Sequence, residues 1–195
     1  MEIESTVYFS HGDAAVNDAL RALFELVCCN AHRYVEDPKK REKAFAAAAN
    51  KMKAGSGKLA EKLMRKKLMN VKEFEFGIES IGKAGNFTLL RCQHGSCGDQ
   101  MVVEMIEFIG KLAPEAVVRA FGSFDEDAPE FWLVLEDRNV QRRDVPSDED
   151  WDNYEEERRE TFEWWKEGLP KPLQKTIGKE LGLTGGRRKA IPSPW

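Results

Sequence analysis

Cys92-Gln93-His94-Gly95-Ser96-Cys97 is the segment whose residue types come closest to chemistry, and Cys28-Cys29-Asn30-Ala31-His32 is its counterpart. All four cysteines and two of the three histidines sit in these two clusters. Zinc takes four such ligands. Cys28 and His32 stand one helical turn apart, so both can reach one ion, and Cys92, His94 and Cys97 are the candidates to complete the set. Against zinc, the C-x-H-x-x-C spacing lacks the C-x-x-C knuckle of structural zinc sites. Small thiols packed between helix and sheet are the simpler expectation, so no cofactor is expected.

The same loop has the makings of a nucleophile. Cys97 falls between an expected strand and an expected helix start, where the helix dipole and free N–H groups lower a thiol pKa. Gly95, Ser96 and Gly98 would let backbone amides cradle an anion, with His94 or His11 as base. Yet no G-x-S-x-G elbow is present, and counting C-x5-R from Cys92 reaches Gly98 rather than an arginine. A turn and a helix cap account for the segment, and the expectation is a protein that is not an enzyme.

Binding is better represented than catalysis. Lys58, Lys62, Arg65 and Lys66 share one helical face, the pattern that phosphate contacts require. Only Phe45 interrupts the basic stretch, so the base-stacking platform of single-strand binders is missing. Further on, Trp151, Tyr154, Phe162 and Trp165 form a stripe along an acidic helix, with Trp164 outside it and Arg158 and Arg159 nearby. Such a stripe most often docks on the protein's own core. Its residue types are also those of interface hot spots. Trp151, Tyr154, Arg158, Phe162 and Trp165 are therefore the partner-binding candidates, and the four basic residues are the nucleic-acid-binding alternative.

These segments belong to two blocks of opposite charge. Residues 33–72 hold thirteen Lys/Arg against four Asp/Glu, and residues 125–167 hold seventeen Asp/Glu against six Lys/Arg. The chain of 195 residues carries a formal net charge of only −4, so the average conceals a dipolar molecule. Sorted charge governs association rather than fold. At 42% apolar and 33% charged, the chain can bury an ordinary core. No apolar run approaches the ~20 residues of a membrane span. The acidic Met1-Glu2-Ile3-Glu4 start is unlike a signal peptide, and a cytoplasmic location is expected.

The elements that must position these residues follow from periodicity. Ile3 to Phe9 reads as a strand, and Asp13 caps a helix with Val16, Leu20, Leu23, Phe24, Val27, Ala31 and Tyr34 on one face, ending near Asp37-Pro38. Two basic helices are expected over 39–54 and 58–69, split by Gly55-Ser56-Gly57. Period-two residues Phe74, Phe76, Ile78 and Ile81 lead into a hairpin loop over 82–86 and a return strand over 87–92. Ser96 and Asp99 have capping-box spacing ahead of a helix that stops at Pro114. Strands over 116–124, 131–136 and 139–145 precede a long helix capped by Ser147 and running to Gly168, then a short helix and a flexible tail over 185–195.

With the basic helices set aside, the first six core elements read β-α-β-β-α-β. The expected fold is α+β: a ferredoxin-like core with an antiparallel sheet over 1–145, a helical insertion at 38–70 and a C-terminal helical extension at 146–184.

Phe87 to Val145 resembles the ferredoxin-like domain of small plasmid and phage proteins called YubB-like. The likeness rests on a strand, a helix ending in Leu112-Ala113-Pro114, a strand, the acidic turn Asp125-Glu126-Asp127 and the aromatic strand Phe131-Trp132. It implies a mobile-element context, in which small proteins often disable host defences. The function expected is thus a phage- or plasmid-encoded inhibitor or adaptor, anti-CRISPR-like in action. Its partner would be a host protein or ribonucleoprotein complex, occluded by shape and charge. Nucleic acid is the alternative partner, and no membrane is expected.

Overall fold

A computed structural model describes residues 3–27, 39, 77–95, 98–124, 129–146 and 151–183. Six strands form one open antiparallel sheet: β1 (Ile3–Ser10), β2 (Ile78–Ala84), β3 (Phe87–His94), β4 (Val117–Phe124), β5 (Glu130–Glu136) and β6 (Asn139–Val145). Their order across the sheet is β2-β3-β1-β4-β5-β6, and every neighbouring pair is antiparallel. Four helices accompany them among the described residues: α1 (Ala14–Val27), α2 (Gly98–Leu112), α3 (Trp151–Trp165) and α4 (Lys171–Glu180). The class is α+β, as the order of periodicities predicts.

Alternation along the strands sends odd and even residues to opposite faces. Ile3, Val7 and Phe9 of β1 join Leu90, Val118, Ala120, Phe131 and Leu133 in the first core. Helix α1 covers it with Val16, Leu20 and Phe24, and α2 with Met105, Phe108, Ile109 and Leu112, the faces expected from helical spacing. Phe24 meets both Phe9 and Phe108 edge-on or tilted, at centroid distances of 5.5 and 6.5 Å.

The other face carries a second core. Tyr8, Trp132 and Val134 of the sheet pack with Phe162 and Trp165 of α3 and with Leu173 and Ile177 of α4. Helices thus cover both sides of the sheet, and the C-terminal helical segment is a layer of it. Two buried faces explain why β5 reads as an unbroken apolar run, Phe131 to Leu135, rather than an alternating one.

Turns account for the remaining geometry. Asp13 caps α1, its Oδ1 accepting from the Ala15 N–H at 3.0 Å. The β2–β3 loop is two residues, Gly85-Asn86, because Ala84 pairs with Phe87, so Gly82 to Ala84, expected in the loop, lie in β2. The Asp137-Arg138 loop between β5 and β6 has φ of 48° and 67°, the primed-turn geometry whose twist matches that of the strands. Helix α3 stops at Trp165, short of the expected Gly168, and Gly168 turns the chain with φ +80°. Ala31, Tyr34 and the expected helix end near Asp37-Pro38 lie outside the described residues, as do Phe74, Phe76, Ser147, the basic insertion apart from Lys39, and the tail.

Candidate partner-binding surface

The stripe of α3 faces inward. Trp165 is 0% exposed and Phe162 3%. Trp165 stands edge-on to Trp132, Phe121 and Tyr8, with ring centroids 5.4, 5.6 and 5.9 Å away. Its indole Nε1–H donates to the Ala120 carbonyl on β4 at 2.8 Å. The pairing satisfies a polar handle that burial would otherwise leave costly. Burial pushes the Tyr8 phenol from 10.0 to about 12, with the Glu180 carboxylate adding to the rise.

Arg119 of β4 completes the attachment. It is buried, and its Nε donates to the Trp165 carbonyl at 2.8 Å while its Nη2 donates to the Glu167 carbonyl. A guanidinium therefore caps carbonyls at the C-terminus of α3, where the helix dipole favours a cation. Desolvation lowers the Arg119 pKa, with Glu136 and Glu167 acting in the opposite sense. Arg158 of α3 sits against Glu130 of β5 and also donates to the Leu181 carbonyl.

Of the partner-binding candidates, three are engaged within the fold: Phe162 and Trp165 are core, and Arg158 pairs with Glu130. Tyr154 is half-buried against the second core, its hydroxyl 3.4 Å from Glu130 Oε1. Trp151 lies in the first turn of α3, with its side chain outside the description. Trp164, off the stripe as the periodicity indicated, is half-buried beneath the Arg143 guanidinium at 4.4 Å.

What α3 turns outward is charge. Glu156, Glu157, Glu160 and Glu163 are exposed. Glu156, Glu160 and Glu163 recur at i, i+4 and i+7, so they form a single ridge. Arg159 answers Glu155, and Lys166 answers Glu163.

The cysteine and histidine expectations divide. Cys92 and His94 are buried at alternate positions of β3, on the face of the first core. The His94 Nε2 and the Ser5 Oγ are buried without a hydrogen-bond partner. Desolvation lowers the His94 pKa from its ordinary 6.5. No cluster of three or more metal-ligating side chains occurs among the described residues. Cys28, His32 and Cys97 lie outside them, as do Lys58, Lys62, Arg65 and Lys66. His11 follows β1 at the end opposite Ile3, the residue paired with His94. Eight residues of extended chain put roughly 26 Å between those ends. The two histidines therefore do not share a site.

Sequence reasoning missed Arg119 and Glu130. The only signal was a charged residue within an apolar strand, Val117-Val118-Arg119-Ala120-Phe121. No helix among the described residues is long and apolar enough to cross a membrane. No family model, curated protein or solved structure matches the chain.

Proposed function

We propose that this is a non-enzymatic binding protein that presents the outer ridge of α3 to a basic surface on a macromolecular partner. The observation that carries the reading is the division of labour on that helix. Its aromatic side is fastened to the sheet through Trp165, Phe162, Arg119 and the Arg158–Glu130 pair. Its opposite side exposes Glu156, Glu157, Glu160 and Glu163. A helix held at both its aromatic face and its C-terminus loses little further freedom on binding, which favours affinity. The exposed carboxylates would steer a cationic partner and set register.

Within this reading the core is ferredoxin-like, supported by the order β2-β3-β1-β4 of the first four strands. The YubB-like resemblance supplies the context of a mobile element, and an inhibitor or adaptor that occludes a host macromolecule is the corresponding role.

A tagged pulldown from bacterial lysate, with and without nuclease, tests the reading when run beside a Glu156→Gln/Glu160→Gln/Glu163→Gln variant. The expected result is a stoichiometric protein that survives nuclease and is lost from the folded variant. Equal capture by both forms would remove the ridge from the interaction. Nucleic acid alone, lost on nuclease treatment, would transfer the function to the basic segment.

A further inference from the structure

At the far end of β1 from His94, a cleft of about 490 Å³ opens between the start of α1, the end of α2 and the β5–β6 turn. That volume falls within the roughly 300–1,000 Å³ typical of small-molecule sites. Leu112 and Pro114 contribute apolar wall, while His11, Glu115, Asp137 and Arg138 contribute the polar groups.

His11 is held in one orientation. Its backbone N–H donates to Asn17 Oδ1 at 2.7 Å and its carbonyl accepts from Asn17 Nδ2 at 3.0 Å. Its Nδ1 accepts from the Asp13 N–H at 3.0 Å. Asn17 also reaches the Asn86 carbonyl of the β2–β3 turn at 3.3 Å, tying three segments together. Because Nδ1 is the acceptor, the proton of the neutral ring belongs on Nε2. The imidazole side chain is 7% exposed, and its Nε2 lies 3.9 Å from Glu115 Oε2, beyond hydrogen-bond reach. The cleft thus contains a positioned N–H donor with no acceptor within hydrogen-bond distance among the described residues. This tautomer argues against a metal at Nε2, which would need the lone pair that the proton occupies.

The other polar groups are at most loosely engaged, Glu115 through its 3.9 Å approach to His11 Nε2. Arg138 and the Asp137 carboxylate have no hydrogen bond or ion pair among the described residues, and Glu115 is 83% exposed. Two donors, one of them cationic, stand with two carboxylates around an apolar wall. A simple anion would face Glu115 and Asp137, and a simple cation would face Arg138. A molecule carrying both charges on groups attached to the same carbon satisfies both halves.

We propose that this cleft binds a free α-amino acid, with its carboxylate on Arg138 and the His11 Nε2–H and its ammonium on Glu115 and Asp137. The side chain of the ligand would lie on Leu112 and Pro114. Planar bidentate recognition of a carboxylate suits Arg138. This site is separate from the α3 ridge and stands or falls apart from it.

Isothermal titration calorimetry of the full chain against each standard α-amino acid tests the proposal, followed by the N-acetyl and carboxamide derivatives of any that binds. The expected result is saturable binding of at least one free amino acid, with one site per chain. Blocking either end should weaken it about tenfold or more, the equivalent of about 1.4 kcal/mol. Arg138→Gln and Glu115→Gln should each weaken it to a similar degree. Both residues are exposed, so the variants should keep the wild-type circular dichroism and melting temperature. The proposal is overturned by no binding at roughly 10 mM of any amino acid. Binding that ignores both substitutions, or that is indifferent to end-blocking, overturns it equally.

Discussion

Arg158 on α3 meets Glu130 on β5 with Nη2 2.8 Å from Oε1 and Nε 2.9 Å from both carboxylate oxygens. The Trp132 indole N–H donates to the same carboxylate at 3.2 Å, and the Tyr154 hydroxyl lies 3.4 Å from it. One carboxylate therefore gathers donors from the strand below and the helix above. Both charged side chains are mostly buried, at 17% and 13% exposed. Removing one partner strands the other in a low-dielectric site.

Arg158→Met should therefore cost about 1–3 kcal/mol, less than the roughly 3–5 kcal/mol of a wholly buried pair. Urea denaturation reads the loss. Glu130→Gln added to Arg158→Met should recover part of it, because no uncompensated charge remains. A double variant whose loss equals the sum of the two single ones would show that the pair is not coupled.

Trp165→Ala removes the largest fully buried ring of α3 and its hydrogen bond to the Ala120 carbonyl. The expected destabilisation is about 3–5 kcal/mol. Unchanged stability with a weakened complex would instead mark Trp165 as an interface residue.

Gly122 of β4 is required by close approach. A Cβ there would lie 2.5 Å from the Phe131 ring and 2.6 Å from the Glu4 carbonyl oxygen. Gly122→Ala should lower stability by about 1–3 kcal/mol, through overpacking. Gly82→Ala is the control, since its nearest neighbour would be Leu89 at an ordinary 3.8 Å. The melting temperature should fall for the first variant and hold or rise slightly for the second.

His94 gives a pH dependence of definite sign. Burial holds its folded pKa below the ordinary 6.5, so the unfolded chain takes up the proton first on acidification. Stability should therefore be full above that ordinary value and decline as pH falls through it toward the folded one. Denaturation midpoints of wild type and His94→Leu at roughly pH 7.5 and roughly pH 5 measure the effect. The wild type should lose more than the variant over that interval. Equal losses would show that His94 is not held neutral by the fold.

Asp99 adds a second acid-side contribution. The Arg142 hydrogen bond, at 2.7 Å, holds the Asp99 carboxyl below its ordinary 3.8. The stabilisation should be present above that ordinary value and vanish as pH falls through the depressed one. Arg142→Ala should therefore destabilise at neutral pH and cease to matter in strong acid, read as the difference in melting temperature from wild type.

Local signals in the sequence determined most of the described elements. The strands at Ile3, Phe87, Val117, Phe131 and Asn139 follow from β-propensity and turn residues. The α1 cap at Asp13 and the end of α2 before Pro114 follow from capping and proline chemistry. The inward faces of α1 and α2 were legible because helical periodicity is a short-range property.

What α3 does with its aromatic stripe was decided only by tertiary structure. A stripe bound for the protein's own sheet and one bound for a partner have the same spacing in sequence. The difference arises because β1, β4 and β5 offer Tyr8, Phe121 and Trp132 on a face of the sheet that α3 covers together with α4. Arg119 and Glu130 were illegible for the same reason. Their partners, the end of α3 and Arg158, are distant in sequence and meet them only when the helix folds back across the sheet. Periodicity fixes which side of an element is apolar, but the surface that buries it is chosen by long-range packing.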